Sequence, residues 1–270
     1  MRRTPEEMAQ TRRFDDLYAR SQSGVMLSIE RSVCGCDYGG SSWTTRAEAD
    51  GLIASLGLNS QTHLLDLGAG SGWPALYMAK RSGCRVTLVD LPANGLRIAE
   101  QRAAKDGISA MVTTKIADAA NLSFPDNSFD AISHSDLLCC LMHKRSVLAS
   151  CRRIVRQTGR MAFTVISVAP GLSTTLRRRA IENGPEFIES ADDYTSMLDQ
   201  TGWKILAYQD ISASYAASCN RQLEADEAHE EDLATLIGSK EYSERVAGWR
   251  AKLAAIGDGL LRRELFLVAP

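Results

Sequence analysis

Residues 64–72 have the sequence Leu-Leu-Asp-Leu-Gly-Ala-Gly-Ser-Gly, in which a short apolar run passes directly into three glycines. The run predicts a strand, and the residues from about 73 to 81 predict a helix. Glycines allow a tight turn between the two, and they let a ligand lie against the main chain without a Cβ clash. The N–H groups at the start of the helix would point at that ligand. The stretch therefore predicts a strand–loop–helix unit that binds a ligand.

Strands and helices alternate on both sides of this unit. The pattern predicts seven strands, at 62–67, 85–89, 111–116, 129–133, 161–167, 203–209 and 264–268. It predicts helices at 5–20, from Thr44 or Thr45 to Leu56, and at 73–81, 96–105, 145–155 and 192–200, with Gly159 marking the end of the fifth. A loop is expected at 33–43, and two helices broken near Gly238 at 213–256. This alternation predicts an α/β fold with a mostly parallel seven-stranded sheet and helices on both faces.

Three segments are expected along the chain. Residues 1–58 form an N-terminal helical segment, residues 59–170 form the ligand-binding core, and residues 171–270 complete the sheet and carry a helical cap at about 213–256. The N-terminal segment and the cap are expected to form a lid that excludes water from the site. Three side chains of the cap are candidates for a substrate pocket: Tyr215, Arg221 and Trp249.

Composition narrows the function classes. The formal net charge is -2, which gives no general attraction for a polyanion, so nucleic acid is not expected as a partner. The seven cysteines are odd in number and show no zinc-ligand spacing, which indicates reduced thiols and no metal site. From its first residues we expect no signal peptide, and the sequence contains no apolar stretch of the roughly 18 residues that a membrane span needs. We therefore expect a cytoplasmic protein.

The spacing of the glycines bears on the ligand. Dinucleotide sites use G-x-G-x-x-G, with a helix end that holds a pyrophosphate, whereas this loop is G-x-G-x-G with Asp66 two residues before Gly68. A carboxylate at that position suits an ammonium group better than a pyrophosphate. S-adenosylmethionine carries an α-amino group and a sulfonium but no phosphate, and it meets this requirement.

Two further carboxylates follow predicted strands. Asp90 ends the second strand, where a carboxylate can accept hydrogen bonds from both ribose hydroxyls and would repel a 2′-phosphate. Asp118 follows the third strand and suits the exocyclic amine of adenine. Both residues are also placed to act as turn or helix-cap residues, and for Asp90 that role does not exclude ribose binding.

Together these motifs resemble those of class I S-adenosylmethionine-dependent methyltransferases, and residues 117–130 resemble the quinone-biosynthesis and small-molecule N-methyltransferase branches. The resemblance covers about residues 60–170. It implies a Rossmann-like fold, S-adenosylmethionine as cofactor, and SN2 transfer of a methyl group to N, O or C of a small-molecule acceptor. The residues assigned to the cofactor are Asp66, Gly68, Ala69, Gly70, Gly72, Asp90, Leu91, Asp118, Ala119 and Ser135, with Tyr38 and Trp43 from the preceding loop.

The candidates for a general base are Asp136, His134 and His143, in that order. Relatives often carry E-x-x-x-H-x-x-D after the fourth strand, and this chain has Asp136, Cys140 and His143 at the three positions. The departure leaves a non-catalytic S-adenosylmethionine-binding protein as one alternative. A nicotinamide-dependent oxidoreductase is the other, although the glycine spacing and Asp66 argue against it. A homodimer is one assembly that the sequence leaves open.

Overall fold

The computed structural model describes residues 3–270 and places the strands of that range in one sheet. Its seven strands are β1 His63–Leu67, β2 Arg85–Asp90, β3 Val112–Ile116, β4 Phe129–Ser135, β5 Val155–Val168, β6 Lys204–Asp210 and β7 Leu261–Ala269. Their order is β3-β2-β1-β4-β5-β7-β6, and β7 runs antiparallel to both of its neighbours. The other pairings are parallel, which confirms the predicted mostly parallel, seven-stranded α/β fold.

Within the same residues, eleven α-helices surround the sheet. They are α1 Pro5–Arg20, α2 Gly24–Cys34, α3 Arg46–Leu56, α4 Ala75–Ser82, α5 Ala93–Lys105, α6 Lys144–Ile154, α7 Thr174–Asn183, α8 Tyr194–Gln200, α9 Ser212–Ala228, α10 Glu230–Ile237 and α11 Ser239–Gly257. The predicted helix starts near Thr4 and Thr45 are confirmed, because each threonine forms a capping box with the glutamate three residues later. No helix in residues 3–270 is long and apolar enough to cross a membrane.

The sheet is buried on both faces. Leu65 and Leu67 of β1 pack on one side with residues of α6, α7 and α8, and Leu64 packs on the other side with residues of α3, α4 and α5. Strands buried in this way need apolar side chains at successive positions, which is why β1 and β2 appear as short continuous apolar runs. Because parallel strands end at the same edge, the loops after β1, β2, β3 and β4 meet at one side of the molecule.

Three elements differ from the expectations. Gly159 lies inside β5 and does not end a helix: a Cβ there would be 2.7 Å from the Asp130 carbonyl oxygen of β4. The helices α2 and α7 were not predicted, because one is followed by a Gly/Cys-rich loop and the other is mostly polar. The insertion between β6 and β7 contains three helices, with the predicted break at Gly238 and a second break at His229.

Candidate active site

A cavity of about 500 Å³ lies where the carboxyl ends of β1 to β4 meet. Its volume is within the range usual for small-molecule sites. The loops after these strands form its floor, and α1 together with residues 40–43 covers it. None of the described residues of α9 to α11 lines it.

The glycine loop after β1 is fastened to the neighbouring strand. Gly68 and Gly70 have φ of 67° and 49°, in the left-handed region that glycine adopts without steric cost. The N–H groups of Gly68 and Ala69 donate to the Val89 carbonyl oxygen at 2.8 and 3.1 Å. The main chain therefore turns sharply and presents its atoms to the cavity. Gly72 lies outside the cavity lining, and a Cβ on it would strike Leu76 at 2.5 Å, so its absence of a side chain allows α4 to pack.

Asp66 is a buried carboxylate at the end of β1. It accepts a hydrogen bond from the Ser133 hydroxyl of β4, and its side chain lines the cavity. Burial raises its pKa to about 7, with a smaller contribution from the nearby Asp90 and an opposing one from Ser133. Binding a cation would relieve the burial penalty that this carboxylate bears.

Asp90 organises the loop as well as facing the cavity. One carboxylate oxygen accepts from the Gly70 N–H and the other from the Leu91 N–H, each at 2.7 Å. Each oxygen has a second lone-pair site, so two further hydrogen bonds can be accepted. Burial raises the pKa of Asp90 to about 6, while the two N–H groups lower it. The helix cap considered for this residue does not form, because the residue before α5 is Pro92.

Asp118 and Ala119 line the cavity beyond the end of β3. One Asp118 oxygen accepts from the Ala120 N–H at 2.8 Å and caps a one-turn 3-10 helix at Ala119–Asn121. The other oxygen accepts no hydrogen bond from residues 3–270. The cap role and a ligand contact are therefore compatible.

Helix α1 forms the roof and supplies contacts that sequence reasoning missed. Phe14, Leu17 and Tyr18 face the cavity, and Tyr18 fills the space left by Gly70 and Gly95. A Cβ on either glycine would lie 2.8–2.9 Å from the tyrosine side chain. The helical spacing of the three residues signalled an apolar stripe. The spacing alone does not indicate that this stripe covers the glycine loop.

Two polar contacts hold α1 in place. The Asp15 carboxylate accepts from the main-chain N–H and the side-chain amide of Asn94, both at 2.8 Å, at the start of α5. Arg13 forms an ion pair with Glu186, which lies in the segment between α7 and α8. The roof is thus fixed on both sides of the cavity.

The loop before α3 forms the rest of the cover. The Glu30 carboxylate accepts from the N–H groups of Gly39 and Gly40 at 2.6 and 3.1 Å, which fixes the path of the loop. Trp43, one of the residues assigned to the cofactor, lines the cavity, with its ring edge-on to Tyr215 at 5.3 Å. Tyr38, however, lies outside the lining.

Tyr38 has an ordinary packing role. Its ring packs against Trp73 at 5.3 Å and lies under the Arg102 guanidinium at 4.1 Å. The other aromatic and basic candidates from the late helices also lie away from the cavity. Arg221 donates to the Val33 carbonyl oxygen of α2, and the Trp249 indole N–H donates to the buried Asp226.

Of the three base candidates, the structure brings Asp136 to the cavity. Its φ is 53°, and its carboxylate pairs with Arg263, a side chain only 1% exposed, at 3.0–3.1 Å. Arg263 also pairs with Glu48 of α3 and donates to Thr164 of β5, and the two carboxylates raise its pKa. Because the guanidinium occupies both Asp136 oxygens, the geometry favours a positioning role over proton abstraction.

The two histidines lie outside the lining of this cavity. His134 is 1% exposed and stacks on Phe163 at 4.6 Å, and neither ring nitrogen has a hydrogen-bond partner in residues 3–270. Burial lowers its pKa to about 3, so the ring is neutral. His143 precedes α6 and lines a separate groove of about 280 Å³.

Ser135, Cys139 and Cys140 line the cavity near Asp136. Ser135 accepts from the Thr44 hydroxyl at 2.9 Å, which links β4 to the covering loop. The two cysteine thiols donate to the Asp136 carbonyl oxygen at 3.0 and 3.6 Å. Burial raises the pKa of Cys139 well above its usual value, so it stays a thiol.

The donor and acceptor set at the ends of β1 to β3 fits S-adenosylmethionine. Three carboxylates gather there: Asp66, Asp90 and Asp118. The cofactor offers an ammonium, two ribose hydroxyls and an adenine amine, which are all donors. The cations that line the cavity within residues 3–270 are Arg13 and Arg20, and each is paired with a glutamate. This set does not suit a pyrophosphate.

Comparison with known proteins agrees with this geometry. A methyltransferase-domain family model matches residues 65–163. Phosphoethanolamine N-methyltransferase 1 of Zea mays is 24% identical over 220 residues, which cover 80% of this chain and 42% of that protein. The 27-O-demethylrifamycin SV methyltransferase of Amycolatopsis mediterranei is 28% identical over 212 residues, covering 77% and 78%.

A solved structure gives the same fold. Phosphoethanolamine N-methyltransferase 2 of Haemonchus contortus, solved with phosphomonomethylethanolamine and S-adenosylhomocysteine, superposes with a TM-score of 0.77 at 22% identity, covering 95% of this chain and 59% of that one. The chain thus spans less than half of the maize relative and somewhat more than half of the nematode one. Residues 65–163, from β1 into β5, are thus similar to a methyltransferase domain, and the chain shares its fold with the nematode methyltransferase.

Proposed function

We propose that the protein is an S-adenosylmethionine-dependent methyltransferase that transfers a methyl group to N, O or C of a small-molecule acceptor. The observation that carries the proposal is the set of three carboxylates at the ends of β1 to β3. The names of the relatives include a phosphoethanolamine and a rifamycin derivative, so they support the reaction and do not select an acceptor.

Each cofactor contact follows from the chemistry of the side chain. We assign the ammonium group to Asp66, the ribose hydroxyls to Asp90 and the adenine amine to Asp118. The backbone of Gly68, Ala69 and Gly70 would lie against the amino-acid end of the cofactor. Four further residues of the cavity lining are assigned to it: Leu91, Ala119, Ser135 and Trp43. Gly72 and Tyr38 support this surface from outside the cavity.

When bound, the cofactor supplies an activated methyl group with a neutral leaving group. The chain's own part is to position the acceptor and to exclude water, which is what the α1 roof and residues 40–43 provide. A free amine needs no general base, whereas a hydroxyl benefits from one. Of the base candidates Asp136, His134 and His143, Asp136 faces the cavity and the two histidines lie outside its lining. The Arg263 pair gives Asp136 a positioning role in the first instance.

The proposal is tested by incubating the full chain with methyl-labelled S-adenosylmethionine and a panel of amines, phenols and quinols. We expect label in one acceptor class and an equal amount of S-adenosylhomocysteine. A chain that binds S-adenosylhomocysteine but methylates no member of a broad panel would favour the non-catalytic binding protein. A chain that binds neither form of the cofactor would contradict both readings.

Cofactor affinity is expected to rise with pH. Only an ionised Asp66 pairs with the ammonium, and burial has raised its pKa to about 7. Affinity should therefore increase about tenfold between pH 6 and pH 8, with proton release on binding near neutral pH. Calorimetry in buffers of different ionisation enthalpy measures both quantities.

The unliganded protein should show the opposite trend. The pKa values of Asp66 and Asp90 are higher in the folded protein than in the unfolded chain, so the two residues stabilise the fold most below their unfolded pKa of about 4. This contribution is lost as the pH rises from there through their folded pKa values of about 7 and 6. The Asp66→Asn variant is the control, because it should abolish the rise of affinity between pH 6 and pH 8 and remove the Asp66 part of the stability loss between about pH 4 and pH 7. A cofactor affinity that does not change between pH 6 and 8 would be incompatible with the role of Asp66.

We also propose a cytoplasmic location and no nucleic-acid partner. The support is a set of seven cysteines that are all unpaired, six of them buried, together with a near-neutral net charge. A homodimer stays a proposal that sedimentation would test.

A further inference from the structure

On the basis of the proposed function, we infer that the acceptor is an uncharged, mainly apolar molecule with at least one hydrogen-bonding group, and not a phosphorylated amine or an amino acid. The inference concerns the lining residues to which no cofactor contact is assigned, and we call this part of the lining the acceptor end. It includes the carboxylates of Asp136 and Glu186 and the side chains of Gln10, Phe14, Leu17, Leu141, Ile166 and Pro185.

The acceptor end offers no free cation to a phosphate or carboxylate group. Arg13 and Arg20 are the basic side chains that line the cavity within residues 3–270. Arg13 is paired with Glu186, and Arg20 with Glu241 at 2.9 Å. The Arg13 and Arg20 side chains are 60% and 44% exposed, so both guanidinium groups lie at the solvent-facing mouth of the cavity. A buried phosphate needs a charge-assisted partner, and none is available deeper in the cavity.

The acceptor end is equally unsuited to a cationic group. Its carboxylates are Glu186, which is paired with Arg13, and Asp136, which is held by Arg263. The unpaired carboxylates are those at the ends of β1 to β3, which the cofactor occupies under the proposed function. Charges around the acceptor are thus neutralised by the protein itself.

Gln10 supplies a polar side chain for recognition. Gln10 is 8% exposed and lines the cavity, and its amide makes no hydrogen bond with residues 3–270. A buried amide normally finds a partner, and it can donate and accept at the same time. A hydroxyl or carbonyl group on an otherwise apolar acceptor would satisfy it. With a hydroxyl acceptor, the oxygen bonds to the methyl carbon, the carbon–sulfur electron pair returns to sulfur, and the hydroxyl proton leaves to water.

The test uses the full chain saturated with S-adenosylhomocysteine and the neutral, apolar fluorophore N-phenyl-1-naphthylamine. We expect saturable binding at one site. Leu141→Asp, which puts a charge into the acceptor end, should weaken binding about tenfold or more. Leu206→Asp makes the same change on the exposed side of β6, where the leucine is 45% exposed, and should leave binding unchanged. Phosphoethanolamine and glycine should not displace the fluorophore, and neither should be methylated when S-adenosylmethionine replaces S-adenosylhomocysteine.

Three outcomes would overturn the inference: no fluorophore binding, equal binding by the Leu141→Asp variant, or methylation of phosphoethanolamine or glycine. Calorimetry with S-adenosylhomocysteine on the same samples reports separately on the proposed function. If that ligand binds while the fluorophore fails, only the acceptor class is wrong. If it does not bind, the proposed function and this inference both fail.

Discussion

Replacing Asp90 with alanine is expected to lower the affinity for S-adenosylmethionine about a hundredfold or more. The variant would lose two charge-assisted hydrogen bonds to the ribose, each contributing about 1.5–3 kcal/mol to binding. Every 1.4 kcal/mol of binding free energy corresponds to about tenfold in affinity. The variant would also release the N–H groups of Gly70 and Leu91, so the glycine loop would lose its anchor. Calorimetric titration of the purified variant measures the loss.

Two further variants serve as controls for this measurement. Asp90→Asn keeps one carbonyl oxygen as an acceptor and should bind with intermediate affinity. Asp232→Ala removes an exposed carboxylate from α10, far along the chain from the site, and should bind like the unmodified protein. An Asp90→Ala variant that binds within threefold of the unmodified chain would show that Asp90 does not hold the ribose.

Replacing Arg263 with methionine is expected to destabilise the protein by about 3–5 kcal/mol, because it leaves the Asp136 and Glu48 carboxylates without their buried partner. For a chain of this length the melting temperature should fall by about 10 °C. Chemical denaturation followed by circular dichroism measures the free energy of unfolding directly.

The mechanism of this loss is tested by a triple variant, Arg263→Met with Asp136→Asn and Glu48→Gln. Removing both stranded charges should recover a large part of the stability, and asparagine tolerates the left-handed backbone at position 136. If the single variant is as stable as the unmodified chain, or the triple variant is no better than the single one, the buried pairs contribute little.

The meeting of the proposed cofactor residues at one cavity could be predicted because each of their motifs is local in sequence. The first motif joins a strand end, the loop that follows it and the first turn of a helix, which are adjacent along the chain. The spacing of Asp66, Gly68 and Gly70 therefore indicates the local structure around them. Asp90 and Asp118 occupy the equivalent positions after the next two strands, and parallel strands bring these positions together.

The acceptor side depends on contacts between distant segments, which no local pattern encodes. Tyr18 reaches the cavity because Gly70 and Gly95 leave room for its ring. Asp136 is neutralised by Arg263, 127 residues away, so its availability as a base could not be judged from the sequence. The position of the late helices α9 to α11 also depends on contacts between distant segments. Helix α9 packs on α2, outside the cavity that the cap was expected to cover.

A pair of calorimetric titrations of the unmodified chain, one with S-adenosylhomocysteine and one with NADH, tests most directly whether three carboxylates select a phosphate-free nucleoside. We predict one bound S-adenosylhomocysteine per chain and no heat of binding with NADH. Binding of NADH in the absence of any response to S-adenosylhomocysteine would contradict it.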